Sequence, residues 1–271
     1  MHQLQFKIAD VILETGYVIG KITKNTKRSI GLAKHPVLSE DCRLIKTEKI
    51  VNVAGVKMPI PQAFYGIPFS TLLWKSVYER GELKIIKAIL QQSDRVMELG
   101  TGLGFLSTHC ARIVGSDRIF TYEANPNLEP YIRQVYRLNQ ITPQVNFCML
   151  GDKDGEQNFY ISKWFWESSS IQIRKTYTPI QVPVKSFNEE VRKNNPSVLI
   201  VDIEGGEYDL VQYADFYNIE KVIMEIHREL IGVEKIKFII TQLRDREFKI
   251  NEKLSNGREL YLEKITVENS Q

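Results

Sequence analysis

Four ionisable side chains lie at the ends of two short apolar segments in the second half of the sequence. Asp202 and Glu204 come at the end of SVLIV, and Glu225 and His227 come at the end of KVIM. If both segments are neighbouring parallel strands, their carboxyl ends meet at one edge of a sheet, so these side chains lie close together. Such a group can remove a proton, and we favour His227 as a general base that a carboxylate orients. The alternative is a hard divalent ion such as magnesium, with Asp202, Glu225 and His227 as its ligands.

The acidic residues also have a structural interpretation. A helix is predicted to follow the stretch DIEGG, and carboxylates near a helix N-terminus stabilise it by about 0.3–1 kcal/mol through the helix dipole. Asp202 and Glu204 suit this role as well as a chemical one. Glu207 is interpreted as a charge at the helix start rather than as a catalytic residue.

Three glycines at alternate positions follow the predicted strand RVMEL, in the stretch ELGTGLGF. Glycine at this spacing indicates a backbone that turns sharply or that a ligand approaches closely, where a strand leads into a helix. A dinucleotide fingerprint would place a further glycine at the position of Phe105. We therefore predict a cofactor loop of another kind, with the binding residues Glu98, Gly100, Thr101, Gly102 and Gly104.

Two further acidic residues follow the next two predicted strands. Glu123 lies about twenty residues after the glycine loop, where a carboxylate accepts hydrogen bonds from both hydroxyls of a ribose. This position suits NAD as well as other adenosine cofactors, although it repels a 2′-phosphate. Ala124 beside it is included in the predicted site. Asp152 can bind an adenine amino group, or it can simply form a Gly-Asp turn.

The segment KWFWESSS carries three adjacent aromatic residues followed by three serines. Three neighbouring aromatic side chains cannot all face the core from one element, so at least one meets solvent or a ligand. We include Trp164 and Trp166, with Glu204, as candidate substrate contacts that can stack on a sugar or a planar molecule. Core packing with partial surface exposure is the alternative, and both interpretations stay open.

The order of the elements explains how these residues are brought together. From about residue 80, helical segments alternate with short apolar strands, among them QVNFCML and QVPVKSF, and the last two strands are joined by Asn256-Gly257 without a helix. Alternation of this kind indicates a mostly parallel sheet with helices on both faces, and the closing hairpin adds one antiparallel strand. The sequence thus predicts an α/β fold with a seven-stranded sheet that binds ligands outside the carboxyl ends of its strands.

The first 75 residues are predicted to form an accessory cap on a cofactor-binding domain of residues 76–271. Apolar residues recur at helical spacing over 6–22, and period-two alternation around Ala54-Gly55 indicates a β-hairpin. The helix can pack on the body of the protein, form the face of a homodimer or lie on a membrane surface. We expect the cap to shape the substrate side of the cleft.

Composition narrows the class of protein. The 36 basic and 33 acidic side chains give a net charge of +3, which is too balanced to indicate a nucleic-acid or membrane surface. The three cysteines lie far apart without a zinc-binding spacing, which favours a reducing, cytoplasmic setting. Charged residues within the apolar N-terminal stretch argue against a signal peptide and against a membrane span.

The chain resembles the FkbM-type methyltransferases in a series of stretches that follow the order and spacing of that family: YERGE, MELGTGLGF, TYEANP, LGDKDG, VPVKSFNEEV, IVDIEGGEYDLV and IMEIH. The resemblance covers about residues 78–265, and DIEGGE is its most diagnostic part. This chain has ELGTGLG where the family more often has DVGANxG, and Gly206 where the family often has alanine. The resemblance implies a class I, Rossmann-like methyltransferase fold and S-adenosylmethionine as cofactor, with Glu98 near the amino-acid end of that cofactor.

The resemblance also implies O-methylation of a sugar, a glycan or a specialised metabolite in natural product biosynthesis. A hydroxyl acceptor must lose a proton, which gives His227, Asp202 and Glu225 their expected catalytic role. Carboxyl O-methylation of a peptide-derived product is an alternative, because a carboxylate is already ionised. Two other classes stay open: an NAD-dependent oxidoreductase, which shares the ribose acid, and a non-catalytic interaction module. An enzyme that methylates amino groups of nucleic acid is disfavoured, because DIEGGE differs from the NPPY-like signature.

Overall fold

The computed structural model describes residues 47–61, 78–162 and 167–265. The helix predicted over 6–22 and the residues Trp164 and Trp166 lie outside the described parts. The strands are β1 (Thr47–Val53), β2 (Val56–Pro61), β3 (Val96–Leu99), β4 (Ile119–Tyr122), β5 (Gln144–Asn146), β6 (Met149–Gly151), β7 (Gly155–Ile161), β8 (Thr178–Ser186), β9 (Val198–Val201), β10 (Lys221–Glu225), β11 (Phe248–Ile250) and β12 (Glu259–Lys264). The helices are α1 (Arg80–Ile89), α2 (Phe105–Val114), α3 (Glu129–Asn139), α4 (Phe187–Asn194), α5 (Glu207–Tyr213) and α6 (Arg228–Asp245), with 3-10 turns at Ser116–Arg118 and Pro126–Leu128.

Seven strands form the central sheet, in the order β11-β12-β10-β9-β3-β4-β5. The pairs from β10 to β5 are all parallel, whereas β12 runs antiparallel to both β10 and β11. The predicted seven-stranded, mostly parallel sheet with one antiparallel strand is therefore confirmed. The chain runs from β3 to β4 and β5 on one side and returns as β9 and β10 on the other. A crevice consequently opens at the carboxyl ends of β3 and β9, as expected at a change in strand order.

The central strands are apolar on both faces because helices cover both faces. Every residue of β3, β4 and β9 is buried. One face packs against α1, α2 and α3, with Ile86 and Ile132 in the core, and the other packs against α4, α5 and α6, with Val191 and Ile239 in the core. A core on each side holds the ends of these strands in fixed positions. Side chains placed at the strand ends therefore have a rigid support.

The segment QVNFCML does not form the single strand that was predicted. Its first half is β5 at the edge of the central sheet, and its second half is β6, which belongs to a separate sheet in the order β6-β8-β7. The chain changes sheets at Phe147 and Cys148, and Cys148 is buried. The pattern of residue types cannot reveal such a change, because both halves contain partly buried residues. Strand β8 contains the predicted strand QVPVKSF except for Phe187, which begins α4, and β7 was not predicted.

The hairpin predicted around Ala54-Gly55 is present as β1 and β2, paired in antiparallel fashion. Ala54 and Gly55 have positive φ angles of 48° and 97°, as a two-residue hairpin turn requires. Buried side chains of the hairpin pack on α2 and α3, and the Tyr131 hydroxyl donates a hydrogen bond to the Pro59 carbonyl oxygen. The boundary near residue 75 lies outside the described residues and stays a prediction. None of the described helices combines the length and the apolar character needed to cross a membrane.

Candidate active site

The glycine loop connects the end of β3 to the start of α2. Gly100, Gly102 and Gly104 all have positive φ angles, of 86°, 55° and 76°. A Cβ atom on Gly104 would lie 2.9 Å from Cε1 of Tyr136, so this glycine is required for packing. A Cβ atom on Gly102 would meet only the Tyr78 hydroxyl oxygen at 3.2 Å and a Glu79 carboxylate oxygen at 3.5 Å. Gly102 also lines the cavity described below, so its neighbours are polar side-chain atoms rather than the core.

Glu123 ties the end of β4 to this loop. Its Oε2 accepts a hydrogen bond from the Gly102 N–H at 2.9 Å, and its Oε1 accepts one from the Asn125 N–H at 2.7 Å. Burial raises the pKa of Glu123 to about 7, although the backbone N–H donors partly oppose this shift. Each carboxylate oxygen has a second lone pair, which can accept a hydrogen bond from a ligand hydroxyl.

A cavity of about 350 Å³ lies at the carboxyl ends of the central strands, with residues of the three-stranded sheet on its far side. The predicted cofactor and substrate residues that line it are Gly100, Gly102, Glu123, Ala124, Asp152, Asp202 and Glu204. The predicted residues that do not line it are Glu98, Thr101, Gly104, Glu225 and His227. Glu98 and Thr101 are buried, at 1% and 2% exposure, so their side chains are not open to a ligand in the cavity.

The lining of the cavity is acidic. It includes the carboxylates of Glu123, Asp152, Asp202, Glu204 and Asp209, and no lining residue in the described parts of the chain is lysine, arginine or histidine. The neutral polar groups facing the same space include the side chains of Gln157, Ser168 and Ser170. The hairpin residues that the structure describes are absent from this lining, so the expected contribution of the cap to the cleft does not come from them.

His227 lies beneath the cavity at the centre of a group of carboxylates. Its Nδ1 is 2.6 Å from Oε1 of Glu207, which is fully buried at the start of α5. Its Nε2 is 3.5 Å from Oδ1 of Asp202, 3.4 Å from Oε2 of Glu204 and 3.6 Å from Oε1 of Glu225. The structure therefore brings together the predicted catalytic residues, and it adds Glu207 to them.

The charges in this group influence one another strongly. Burial raises the pKa of Asp202 above its usual range, and the charge of Glu225 adds to this shift. Burial alone would also raise the pKa of Glu225, but His227 and the paired Arg258 outweigh it and lower that pKa. Burial opposes the charged form of His227, yet the contacts with Glu204 and Glu207 outweigh it and raise the pKa of the imidazole well above its usual range.

Comparison with known families decides the class of the protein. The family model described as Methyltransferase FkbM domain matches residues 102–250, more than half of the chain. The chain belongs to the FkbM methyltransferase family. This assignment confirms the resemblance found in the sequence and the prediction of a class I, S-adenosylmethionine-dependent methyltransferase. The alternative of an NAD-dependent oxidoreductase is therefore set aside.

Solved structures resemble this FkbM-family chain only distantly. A precorrin-6y C5,15-methyltransferase from Geobacter metallireducens GS-15 has a TM-score of 0.40 and 13% identity, covering 64% of this chain and 72% of its own. A methyltransferase from Pyrococcus furiosus has a TM-score of 0.40 and 11% identity, with coverage of 69% and 83%. An O-methyltransferase from Bacillus cereus, solved in complex with SAH, has a TM-score of 0.42 and 11% identity, with coverage of 69% and 81%. No curated protein matches the FkbM-family chain in sequence.

Two site residues carried no prediction of their own, although their stretch YERGE forms part of the resemblance to the FkbM family. Tyr78 lines the cavity, and Glu79 lies against the glycine loop next to Gly102. Burial raises the pKa of Glu79 to about 8. Glu79 has a left-handed backbone with φ 46°, which is unusual for a residue with a side chain. Nothing in the residue types indicates this conformation, so sequence reasoning had no signal for it.

Proposed function

We propose that this chain is an O-methyltransferase that transfers a methyl group to an uncharged hydroxyl of a sugar, a glycan or a specialised metabolite. The observation that carries the proposal is the charge of the cavity, where five carboxylates face the ligand space and the described lining contains no cationic side chain. A cavity of this kind attracts a cation and repels an anion. The cofactor of the family carries a positive sulfonium, whereas a dinucleotide carries a negative diphosphate.

The residues present fit S-adenosylmethionine. Gly102 offers backbone that a ligand can approach, and Glu123 has carboxylate lone pairs left to accept hydrogen bonds from ribose hydroxyls. Asp152 can accept a bond from the adenine amino group, and Gly100 and Asp202 face the same space between β3 and β9. When bound, the cofactor supplies an electrophilic methyl group on a positively charged sulfur.

The acceptor is proposed to bind on the side of the three-stranded sheet. Gln157, Ser168 and Ser170 offer an amide and two hydroxyls there, which can exchange hydrogen bonds with several hydroxyls of a sugar. Asp202 and Glu204 face the same cavity and attract the proton of the reacting hydroxyl. Holding the two reactants in line is the larger contribution, because good orientation is worth about 7–11 kcal/mol.

A carboxylate acceptor, the alternative considered from the sequence, is less compatible with this lining. It would have to enter a cavity with an acidic lining, where each like charge nearby costs binding energy. We therefore propose a methyl ether as the product rather than a methyl ester.

Cys110 and Cys148 are buried free thiols, which supports the predicted cytoplasmic setting.

Calorimetric titration with S-adenosylhomocysteine and, separately, with NADH tests the cofactor site. We expect micromolar binding of S-adenosylhomocysteine, no binding of NADH, and strongly weakened binding to the variants Gly102→Val and Glu123→Ala. Binding of NADH alone would contradict the proposal.

Transfer of a tritiated methyl group from S-adenosylmethionine to a panel of glycosides, polyols and carboxylic acids tests the acceptor. The products are then treated with alkali, which releases methanol from methyl esters but leaves methyl ethers intact. We expect alkali-stable label on hydroxyl acceptors. Label on carboxylic acids that alkali removes would replace the proposed acceptor with the carboxylate alternative.

A further inference from the structure

We propose that Asp202, Glu204 and His227 bind a divalent cation at the base of the cavity, an inference that rests on the proposed O-methylation. The ring of His227 is only 2% exposed, and none of the described residues is placed to form an aligned hydrogen bond with its Nε2. That nitrogen nevertheless faces the carboxylate oxygens of Asp202 and Glu204 at 3.5 and 3.4 Å. A buried polar atom directed at two carboxylates without a hydrogen bond indicates a missing partner between them.

The contacts of Glu207 determine which ring nitrogen carries the proton. Oε1 of Glu207 accepts a hydrogen bond from the Gly205 N–H at 3.1 Å and lies 2.6 Å from Nδ1 of His227. Because Oε1 already acts as an acceptor for the Gly205 N–H, we assign the proton of the second contact to Nδ1, which donates it to Glu207. A divalent cation would bind the lone pair of Nε2 in place of the second ring proton, between the oxygens of Asp202 and Glu204. A carboxylate that holds the far nitrogen in this way is the usual outer partner of a metal-bound histidine.

The three ligand atoms are spaced for a cation. All lie within 4.8 Å of one another. Ligands about 2.1 Å from a tetrahedral zinc ion lie about 3.4 Å apart, which is close to the two distances from Nε2. Two oxygens and one imidazole nitrogen suit manganese or zinc better than magnesium. Glu225, a predicted ligand, pairs instead with Arg258, so Glu204 takes its place.

A cation at this position explains how a residue beneath the cavity contributes to the reaction. His227 does not line the cavity, whereas Asp202 and Glu204 do. A cation held by Asp202, Glu204 and His227 would supply a Lewis acid beside the cavity, which would lower the pKa of an acceptor hydroxyl bound next to it. The O–H proton leaves to solvent, the oxygen keeps the electron pair and forms the bond to the methyl carbon. The carbon–sulfur bond breaks, and its electrons remain on sulfur.

The experiment uses the full chain after treatment with a chelator. Manganese chloride is titrated into the protein while the six-line electron paramagnetic resonance signal of free Mn²⁺ is recorded, and zinc chloride is titrated by calorimetry. We expect a single bound Mn²⁺ whose spin-echo spectrum contains nitrogen-14 from a directly bound imidazole. Glu204→Gln is expected to weaken binding of both ions about tenfold or more while the thermal unfolding curve remains cooperative. The matched control Glu229→Gln removes an exposed carboxylate close in sequence and is expected to leave binding unchanged.

Three results would overturn the inference: the absence of a stoichiometric Mn²⁺ or Zn²⁺ site, a bound Mn²⁺ without nitrogen coupling, or equal affinity in Glu204→Gln and the parent chain. The first of these would indicate that a proton occupies the space next to Nε2. Binding of S-adenosylhomocysteine to the same chelated sample separates the two proposals. If S-adenosylhomocysteine binds and neither metal ion does, only the proposed metal site is refuted. If S-adenosylhomocysteine does not bind, the proposed cofactor site is refuted, whatever the metal titrations show.

Discussion

The backbone carbonyl oxygen of Asp202 occupies the space that a side chain on Gly100 would need. A Cβ atom on Gly100 would lie 1.8 Å from that oxygen, and Gly100 has a φ of 86°. The two residues follow the adjacent strands β3 and β9, and the Asp202 N–H donates a hydrogen bond to the Leu99 carbonyl oxygen at 2.9 Å. The glycines of the loop therefore differ in purpose, because Gly100 permits two strand ends to meet while Gly102 faces the cavity.

Gly100→Ala is expected to destabilise the protein severely. The new side chain would collide with backbone that cannot move away, and the left-handed conformation adds its own cost, so we expect a loss of about 3 kcal/mol or more in the free energy of unfolding. Urea denaturation followed by circular dichroism measures this loss. Gly155→Ala is the control, because a Cβ atom there meets nothing within 4 Å. Equal stability of the two variants would show that the strand ends can separate without cost.

Gly102→Ala is expected to fold but to bind the cofactor poorly. Its Cβ would lie in the cavity, 3.2 Å from the Tyr78 hydroxyl oxygen. The left-handed backbone costs about 1 kcal/mol of stability, and we expect the Kd for S-adenosylhomocysteine to rise about tenfold or more. Calorimetry on the folded variant gives the Kd. An unchanged Kd would mean that no cofactor atom approaches this glycine.

Glu123 is expected to make stability and cofactor binding depend on pH in opposite directions. Its pKa is about 7 in the folded protein because of burial, against about 4.3 in an unfolded chain. Between these pH values the folded protein keeps a proton that the unfolded chain has lost. The contribution of Glu123 to stability is therefore complete below about pH 4 and is lost as the pH rises through 7. The ionised form accepts ribose hydroxyls better, so binding of S-adenosylhomocysteine should strengthen between pH 6 and 8.

Glu123→Gln removes both effects. Between pH 5 and 8, the unfolding free energy of this variant should fall by about 3 kcal/mol less than that of the parent chain, because a neutral amide does not titrate. Its weaker binding of S-adenosylhomocysteine should not change over the same range. Denaturation and calorimetry at several pH values test the pair of expectations, and parallel curves for the two proteins would contradict them.

His109 is expected to weaken the fold in mild acid. It is buried in α2, where burial and the charges of Lys87 and Arg112 lower its pKa to about 4. An unfolded histidine binds a proton near pH 6.5, so the contribution of the neutral ring is present above that pH and is lost as the pH falls toward 4. Melting temperatures measured from pH 7 to 4 should therefore fall less steeply for His109→Gln. An identical slope would indicate that water reaches the ring.

The loop and the strand-end acids could be predicted because they depend on local patterns. Glycines at alternate positions after an apolar strand, and acids at the ends of VLIV and KVIM, can be located without knowing the packing. The contact between His227 and Glu207 could not be found in this way, since it joins positions twenty residues apart on different elements. Strand β7 escaped prediction because GEQNFYI is polar and exposed over its first half, without alternation of apolar residues.

The ends of the central strands and the acceptor side of the proposed site have different supports. Glu123 and Asp202 follow strands of the central sheet, whereas Gln157 lies on the small sheet β6-β8-β7, and Ser168 and Ser170 lie between β7 and β8. Substitutions in the small sheet and its connecting segment can change the acceptor side while leaving the ends of the central strands untouched. A laboratory library confined to Gln157, Ser168 and Ser170 should therefore change the acceptor specificity while it leaves Glu123, Asp152 and Asp202 in place.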